Sequence, residues 1–309
     1  MTFEINEMKK TIYFLIITMV FASCTGSKVV TLATQGKTSE ETFNQEIPFN
    51  YLGKHIILEV AINKKNYAFM LDTGLDITLI DNSLYNVIKF LPIQRKNISG
   101  STIGKNKTQF GTIAYPIAIG NIDFQNTGVG LMDLSFIKSP FPDKRKIHGV
   151  IGTNILRKAS WQIDYQKQVI KFSDKIENFL PSVNAHKMAM LSKGSGNWGL
   201  NRIQLTINGV TDNFVFDTGS YGNFSANSSF LERLEKTGMS LKVLPESAEK
   251  DRRIFNIDIL KLNNIHFENQ ELGIEEGISL LIGNGFLENF LVTIDWKNNI
   301  LFLSPKKKT

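Results

Sequence analysis

An internal duplication limits this chain to folds with two equivalent halves. Ala61-Ile62-Asn63 leads to Phe69-Met70-Leu71-Asp72-Thr73-Gly74, and Thr206-Ile207-Asn208 leads to Phe214-Val215-Phe216-Asp217-Thr218-Gly219. In both stretches the Ile-Asn pair begins ten residues before the Asp. Each unit later carries Asn-Ile-x-Phe-x-Asn, at Asn121–Asn126 and at Asn264–Asn269, then Ile-Gly at Ile151-Gly152 and Ile282-Gly283. A further Asp stands twelve residues beyond each of those glycines, Asp164 and Asp295, with an alternating apolar tail after it. Landmarks repeated in the same order mark a duplicated unit, so the fold must place two equivalent halves side by side.

The local pattern is mostly strand. Ile56–Ile62 and Ile203–Ile207 are rich in β-branched residues, the second cleanly alternating, and both run into Asn-containing turns. Lys64-Lys65-Asn66 and Asn208-Gly209 mark hairpins to the strands that deliver Asp72 and Asp217. Helices are short: Ser83–Phe90, Asn227–Lys236 and a single turn at Asn284–Leu287. Pro181 and the Gly/Ser-rich stretch Ser192–Gly196 mark the seam between the units. The pattern predicts an all-β chain with two similar β-barrel-like lobes and a cleft between them. The first lobe covers 47–180, a linker 181–196, and the second lobe 197–309.

The paired Asp-Thr-Gly carries the chemistry. At average residue usage roughly one chain in twenty of this length holds one such tripeptide by chance. One copy therefore reads as a strand-ending turn, whereas two copies in register do not. An apolar strand brings each carboxylate to the cleft floor, the Thr behind it can bond across to the other lobe, and the Gly lets the backbone turn tightly. Two such loops about a pseudo-twofold axis put both carboxyls on one water. Like charges so close cannot both ionise, and the pair shares a proton. One Asp can then take a proton from the water while the other donates to a carbonyl oxygen, which hydrolyses an amide without a covalent intermediate. Aspartic proteases work with a proton-sharing pair of this kind.

From about residue 50 to residue 304 the chain resembles the aspartic proteases of the pepsin and retropepsin type, in a two-lobe, single-chain arrangement. The resemblance rests on Asp72-Thr73-Gly74, Asp217-Thr218-Gly219-Ser220, Val150-Ile151-Gly152 and Leu281-Ile282-Gly283; Ile151–Leu156 is similar to the retropepsin version. It implies the acid-protease fold, with Asp72 and Asp217 as the catalytic pair and Thr73, Gly74, Thr218, Gly219 and Ser220 as supporting loops. Gly152 and Gly283 become the glycines of psi-shaped crossings beside the Asp loops. It implies a peptide or protein substrate and no metal or organic cofactor. Both Asp loops lie in one chain, so a monomer suffices. Two departures stand out. Leu75 follows the first Gly where the family has Ser, Thr or Ala; it cannot hydrogen-bond Asp72, which would raise that carboxyl's pKa. The Gly-rich stretch Ile98–Gly104, with Ile98, Gly100, Ile103 and Gly104, is the candidate flap, while Ser240–Arg253 lacks that pattern.

The N-terminus reads as an address. Lys9 and Lys10 precede the uncharged run Thr11–Phe21, and Ala22 and Ser23 stand before Cys24. A basic start, a short apolar run and small residues describe a secretory signal over 1–23; Glu4 and Glu7 are out of place in it, and Met8-Lys9-Lys10 makes a better start. Eleven uncharged residues fall short of the roughly 20 that span a bilayer as a helix. Phe21-Ala22-Ser23-Cys24 resembles the lipobox of bacterial lipoproteins, which implies a lipid on Cys24 holding the protein to a membrane of the bacterial cell envelope. Thr25–Lys28 carries no acidic cluster, which favours the periplasmic face over the cell surface. Residues 24–46, polar and rich in Thr and Ser, read as a flexible tether.

Composition removes other classes. Cys24 is the only cysteine, so a disulfide scaffold and multi-cysteine metal sites are excluded. A net charge of +6 from 35 basic and 29 acidic residues is not gathered into a face with aromatic readers, which argues against nucleic acid. Asp164 and Asp295 read as strand ends or surface turns, His148 as an incidental loop histidine, and Trp161, Trp198 and Trp296 as core. Ser135–Lys146 reads as a mobile surface loop. Three functions are weighed: a tethered aspartic endopeptidase, a catalytically inactive member that binds peptides in the same cleft, and a carboxylate-pair hydrolase of glycans. The Thr-Gly after each Asp argues against the last.

Overall fold

The computed structural model describes residues 28–306 apart from 101–103, 180–181, 183, 193–198, 239–241, 245–252 and 264; of 95–100 and 104–106 it gives the backbone. The expected signal, Cys24, Ile103 and Trp198 lie outside the described residues.

Each half is built on a hairpin whose turn the sequence specifies. His55–Ile62 pairs with Lys65–Leu71 and Asn201–Ile207 with Val210–Phe216, both antiparallel. Asn63 and Lys64 have φ of 51° and 62°, and Asn208 and Gly209 have 44° and 85°. Two consecutive positive φ values make the two-residue turn whose twist matches that of paired strands. In Asn201–Ile207 the alternation places Ile203, Leu205 and Ile207 in the core. The alternation breaks down in His55–Ile62 because both faces are covered: Ile56, Ile57, Leu58, Val60 and Ile62 are all buried.

The second strand of each hairpin then takes part in a crossing. Lys65–Leu71 runs parallel to Gly149–Ile151, which is antiparallel to Leu79–Asp81. Val210–Phe216 likewise runs parallel to Leu281–Ile282, which is antiparallel to Phe224–Ala226. Among the described residues these strands belong to an eleven-stranded sheet in the first half and a ten-stranded sheet in the second. The duplication in sequence is thus a duplication in topology, and the fold is all-β in two lobes.

A six-stranded sheet joins the halves, in the order His186–Ala189, Ile300–Pro305, Phe290–Asp295, Ser160–Asp164, Val169–Ser173, Asn44–Pro48. Its central pairing is between the two repeats, Trp161 opposite Ile294 and Ile163 opposite Val292. Trp161 stacks on Phe172 with ring centroids 4.7 Å apart and lies in a buried cluster that draws on both lobes.

Several expectations change. The tether does not extend to residue 46: residues 28–34 are helical, with Leu32 and Ala33 buried. Val29 and Leu32, one turn apart, share an apolar face packed on Ile77 and Phe110. Asn44–Pro48 is an edge strand of the joining sheet. The linker 181–196 contains the strands His186–Ala189 and Leu191–Ser192, the first paired to Ile300–Pro305; its alternate residues Met188 and Met190 are buried. The helix expected over Ser83–Phe90 is a 3-10 turn at Asn82–Leu84 and one α-turn at Tyr85–Ile88, because Lys89 is left-handed and Phe90 begins a strand. Asn227 caps the helix Ser228–Glu235 by accepting from Phe230 N, and Asn284–Leu287 is a single turn.

Ser135–Lys146 is a packed wall rather than a loose loop. Phe141 joins Ile57 and Ile147, and Phe136 and Ile137 pack against a cluster containing Leu79 and Val150. Lys146 Nζ lies 2.7 Å from the buried Asp81 carboxylate, which also accepts from Ser83 N and Leu134 N. Arg145 sits over the Phe141 ring at 3.8 Å.

Trp161→Ala removes a buried ring from the sheet that joins the lobes and costs about 3–5 kcal/mol, read as a lowered urea midpoint. A loss under about 1 kcal/mol contradicts this account of the joining sheet.

Candidate active site

Asp72 and Asp217 stand just past the ends of the equivalent strands Lys65–Leu71 and Val210–Phe216. The parallel crossing strand fixes each backbone identically: Asp72 N donates to Ile151 O and Asp217 N to Ile282 O, both at 3.0 Å. The threonines behind them clasp across the lobes. Thr73 N donates to Thr218 Oγ1 at 3.1 Å and Thr218 N to Thr73 Oγ1 at 3.0 Å. Each hydroxyl in turn donates to the opposite strand, Thr73 Oγ1 to Phe216 O at 2.8 Å and Thr218 Oγ1 to Leu71 O at 3.1 Å. Both threonines are fully buried, so every donor and acceptor of the clasp has its partner inside the protein.

The glycines bring the carboxyls together. A Cβ on Gly74 would lie 2.6 Å from Asp217 Cγ, and one on Gly219 would lie 2.5 Å from Asp72 Cγ. Each loop can pass over the other lobe's carboxyl only because it has no side chain there. Gly74 N donates to Asp72 Oδ1 at 2.7 Å and Gly219 N to Asp217 Oδ1 at 2.8 Å. Burial pushes the Asp72 carboxyl well above the usual carboxylate range, and the charge of Asp217 adds to the shift. Burial also raises Asp217, opposed by its bonds to Asp72, Gly219 N and Ser220 N. The Asp76 carboxyl raises Asp72 further. Two carboxyls raised together hold one proton between them.

Other sequence candidates fall into place around this pair. Gly152 N donates to Thr78 Oγ1 at 3.1 Å, and Gly283 N to Asn223 O at 2.9 Å, each holding its crossing against an Asp loop. Leu75 lines the cleft and packs beside Leu79 and Val150, and Ser220 lines it opposite. Ile98, Gly100 and Gly104 lie at the end of the hairpin Phe90–Gly100/Gly104–Ile113, Gly100 opposite Gly104. His148 does not line the cleft; it meets Tyr67 edge-on at 5.2 Å, and burial lowers its pKa. Asp164 accepts from Gln166 N and Lys167 N, and Asp295, which is buried, accepts from Asn298. They form strand-ending turns in the joining sheet. Trp161 and Trp296 are buried.

Two asparagines were not singled out by the sequence. Asn154 Oδ1 accepts from both Thr78 N and Thr78 Oγ1 at 2.8 Å, bracing the turn after Leu75. Asn284 Nδ2 donates to Thr218 O and Lys54 O, while its Oδ1 accepts from Tyr165 at 2.7 Å, tying the second loop to the first lobe. The one available signal was that the repeats differ there, Thr153-Asn154 against Asn284-Gly285.

The carboxyls open onto a cleft of about 400 Å³ between the lobes. His55, also missed, lines it and is held towards the neutral form by burial. Phe136, Ile137, Lys138 and Pro140 of the packed loop supply part of the wall.

Comparisons with known proteins bear on the family and the fold. Residues 58–155, spanning the first Asp-Thr-Gly and its crossing, match the family described as aspartyl protease. The fold is similar to basic 7S globulin from soybean, with a TM-score of 0.54 and 10% identity over 85% of this chain and 95% of that one; the likeness places this chain in the pepsin-like fold. It is also 26% identical over 186 residues to the NAD kinase of Ureaplasma parvum serovar 3, covering 57% of this chain and 63% of that protein. The chain thus spans less than two thirds of that relative's length. A buried acidic pair is a poor host for a polyphosphate, and that activity is not carried over.

The clasp and the pair can each be tested by substitution. Thr218→Val leaves Thr73 N and Leu71 O without partners and costs about 2–4 kcal/mol in urea unfolding, while Thr218→Ser stays within about 1 kcal/mol of the parent. Folded Asp72 holds its proton above the pH, about 4, at which an unfolded carboxyl loses it. The native state therefore binds more protons over that interval, and stability falls as pH rises through it. Asp72→Asn removes this penalty, so its melting temperature exceeds that of the parent at pH 7 and the gap closes towards pH 3. A gap that does not change with pH contradicts the raised pKa.

Proposed function

We propose that the protein is an aspartic endopeptidase, hydrolysing peptide bonds with a water activated between Asp72 and Asp217. The observation that carries this reading is the approach of the two carboxyls over Gly74 and Gly219 at the floor of a cleft; the aspartyl-protease match over 58–155 supports it.

In this mechanism the two aspartates take opposite roles. Asp217 serves as the carboxylate that takes a proton from water as its oxygen attacks the scissile carbonyl carbon. Asp72, holding the shared proton, donates it to the carbonyl oxygen, giving a neutral tetrahedral diol. Asp217 then returns its proton to the departing amine nitrogen while Asp72 takes one back from a diol hydroxyl. The C–N bond breaks, and the pair again holds one proton. The clasp keeps the carboxyls in place through these transfers, which is the positioning on which such catalysis depends.

The test is incubation with an unfolded protein mixture from pH 3 to 8, with new termini mapped by mass spectrometry. The parent cleaves, and Asp72→Asn and Asp217→Asn each lose at least about a thousandfold. Leu75→Thr gives Asp72 a hydroxyl donor and lowers its pKa, so the high-pH limb of the activity profile moves to lower pH. Cleavage surviving in either Asn variant contradicts the reading. Peptide binding without cleavage by the folded parent assigns the cleft to the inactive, peptide-binding alternative.

A further inference from the structure

The two halves of the cleft differ chemically. The first lobe presents Met70, Leu75, Leu79, Phe136, Ile137 and Val150, with the exposed Lys138 beside them. The second lobe presents Tyr221, Ser225, Ile278 and Leu281 together with a carboxylate, Glu275. Glu275 follows the strand Gln270–Ile274, and its backbone is fixed by donation from its N to Ala226 O at 3.0 Å. Its side chain is half-buried and, among the described residues, neither it nor Lys138 enters an ion pair.

We propose that Glu275 is a specificity residue which makes the second-lobe half of the cleft a site for a lysine or arginine side chain of the peptide. Ile278 and Leu281 offer an apolar wall for the methylene stem, and Glu275 meets the cation; long basic side chains bury their stems and direct their charge in this way. Partial burial makes the pair stronger than one on open surface. Lys138, across the cleft, repels the same cation from the apolar half, so the two charges fix which way the peptide lies. An extended peptide turns successive side chains to opposite sides, so one position relative to the cut carries the preference. The assignment rests on the hydrolytic reading for cleavage but not for binding.

The experiment profiles cleavage of a proteome-derived peptide library by the parent, Glu275→Gln and Glu275→Lys. The parent is expected to show Lys or Arg enriched at one position relative to the cut. Glu275→Gln flattens that preference, and Glu275→Lys turns it towards Asp or Glu, a change of about tenfold in relative kcat/KM. A parent with no basic preference, or a preference that Glu275→Lys leaves unchanged, overturns the assignment while the hydrolytic reading stands. If the folded parent cleaves nothing, the hydrolytic reading falls. Calorimetry with peptides differing only in Lys or Glu at one position then decides: tighter binding of the Lys peptide, lost in Glu275→Lys, supports the site, and equal affinities overturn it.

Discussion

Thr73 and Thr218 bond reciprocally, and through that pair both aspartate loops are held at the cleft floor. Each threonine accepts from the other's backbone N–H and donates to the strand that delivers the other's aspartate. With both side chains buried, a small shift between the lobes would leave these groups without partners. The clasp therefore holds two separately folded loops at a fixed spacing, and it is one of the few places where the duplicated halves meet as equals. The six-stranded sheet does the coarser work of joining the lobes, through the pairing of Ser160–Asp164 with Phe290–Asp295.

That rigidity holds together an arrangement that electrostatics opposes. Desolvation raises the affinity of both carboxyls for a proton, and the charge of Asp217 raises that of Asp72 further. Such a pair persists only where surrounding structure over-determines it. Here the over-determination is visible: backbone bonds to Ile151 and Ile282, the braces from Asn154 and Asn284, and glycines that no other residue could replace without a clash. The halves are alike but not identical. Leu75 packs on the apolar wall of the first lobe, whereas Ser220 lines the cleft opposite it.

Much of this was legible in the sequence because the duplication supplied an internal comparison. The Ile-Asn turns, the Asp-Thr-Gly strands and the later Ile-Gly elements occupy equivalent places in the two halves. What could not be read lies where the halves differ or where tertiary packing overrides local character. The polar stretch after Lys28 looked like a tether because a single apolar face, Val29 and Leu32, is too faint a signal without its partners Ile77 and Phe110. Ser135–Lys146 carries charges and prolines, as surface loops do, yet its Phe and Ile residues close one wall of the cleft. Asn154, Asn284 and Glu275 matter through contacts with residues far away in the chain, and composition and periodicity do not report such contacts.

If Asp72 and Asp217 hold one proton between them, their side-chain carboxyl carbons, followed by NMR as pH is raised and each assigned through its Asn variant, titrate as a coupled pair. Asp72 then loses its proton well above the ordinary carboxylate range near 4 and moves down towards it in Asp217→Asn. Two independent titrations, both near 4, would contradict the shared proton.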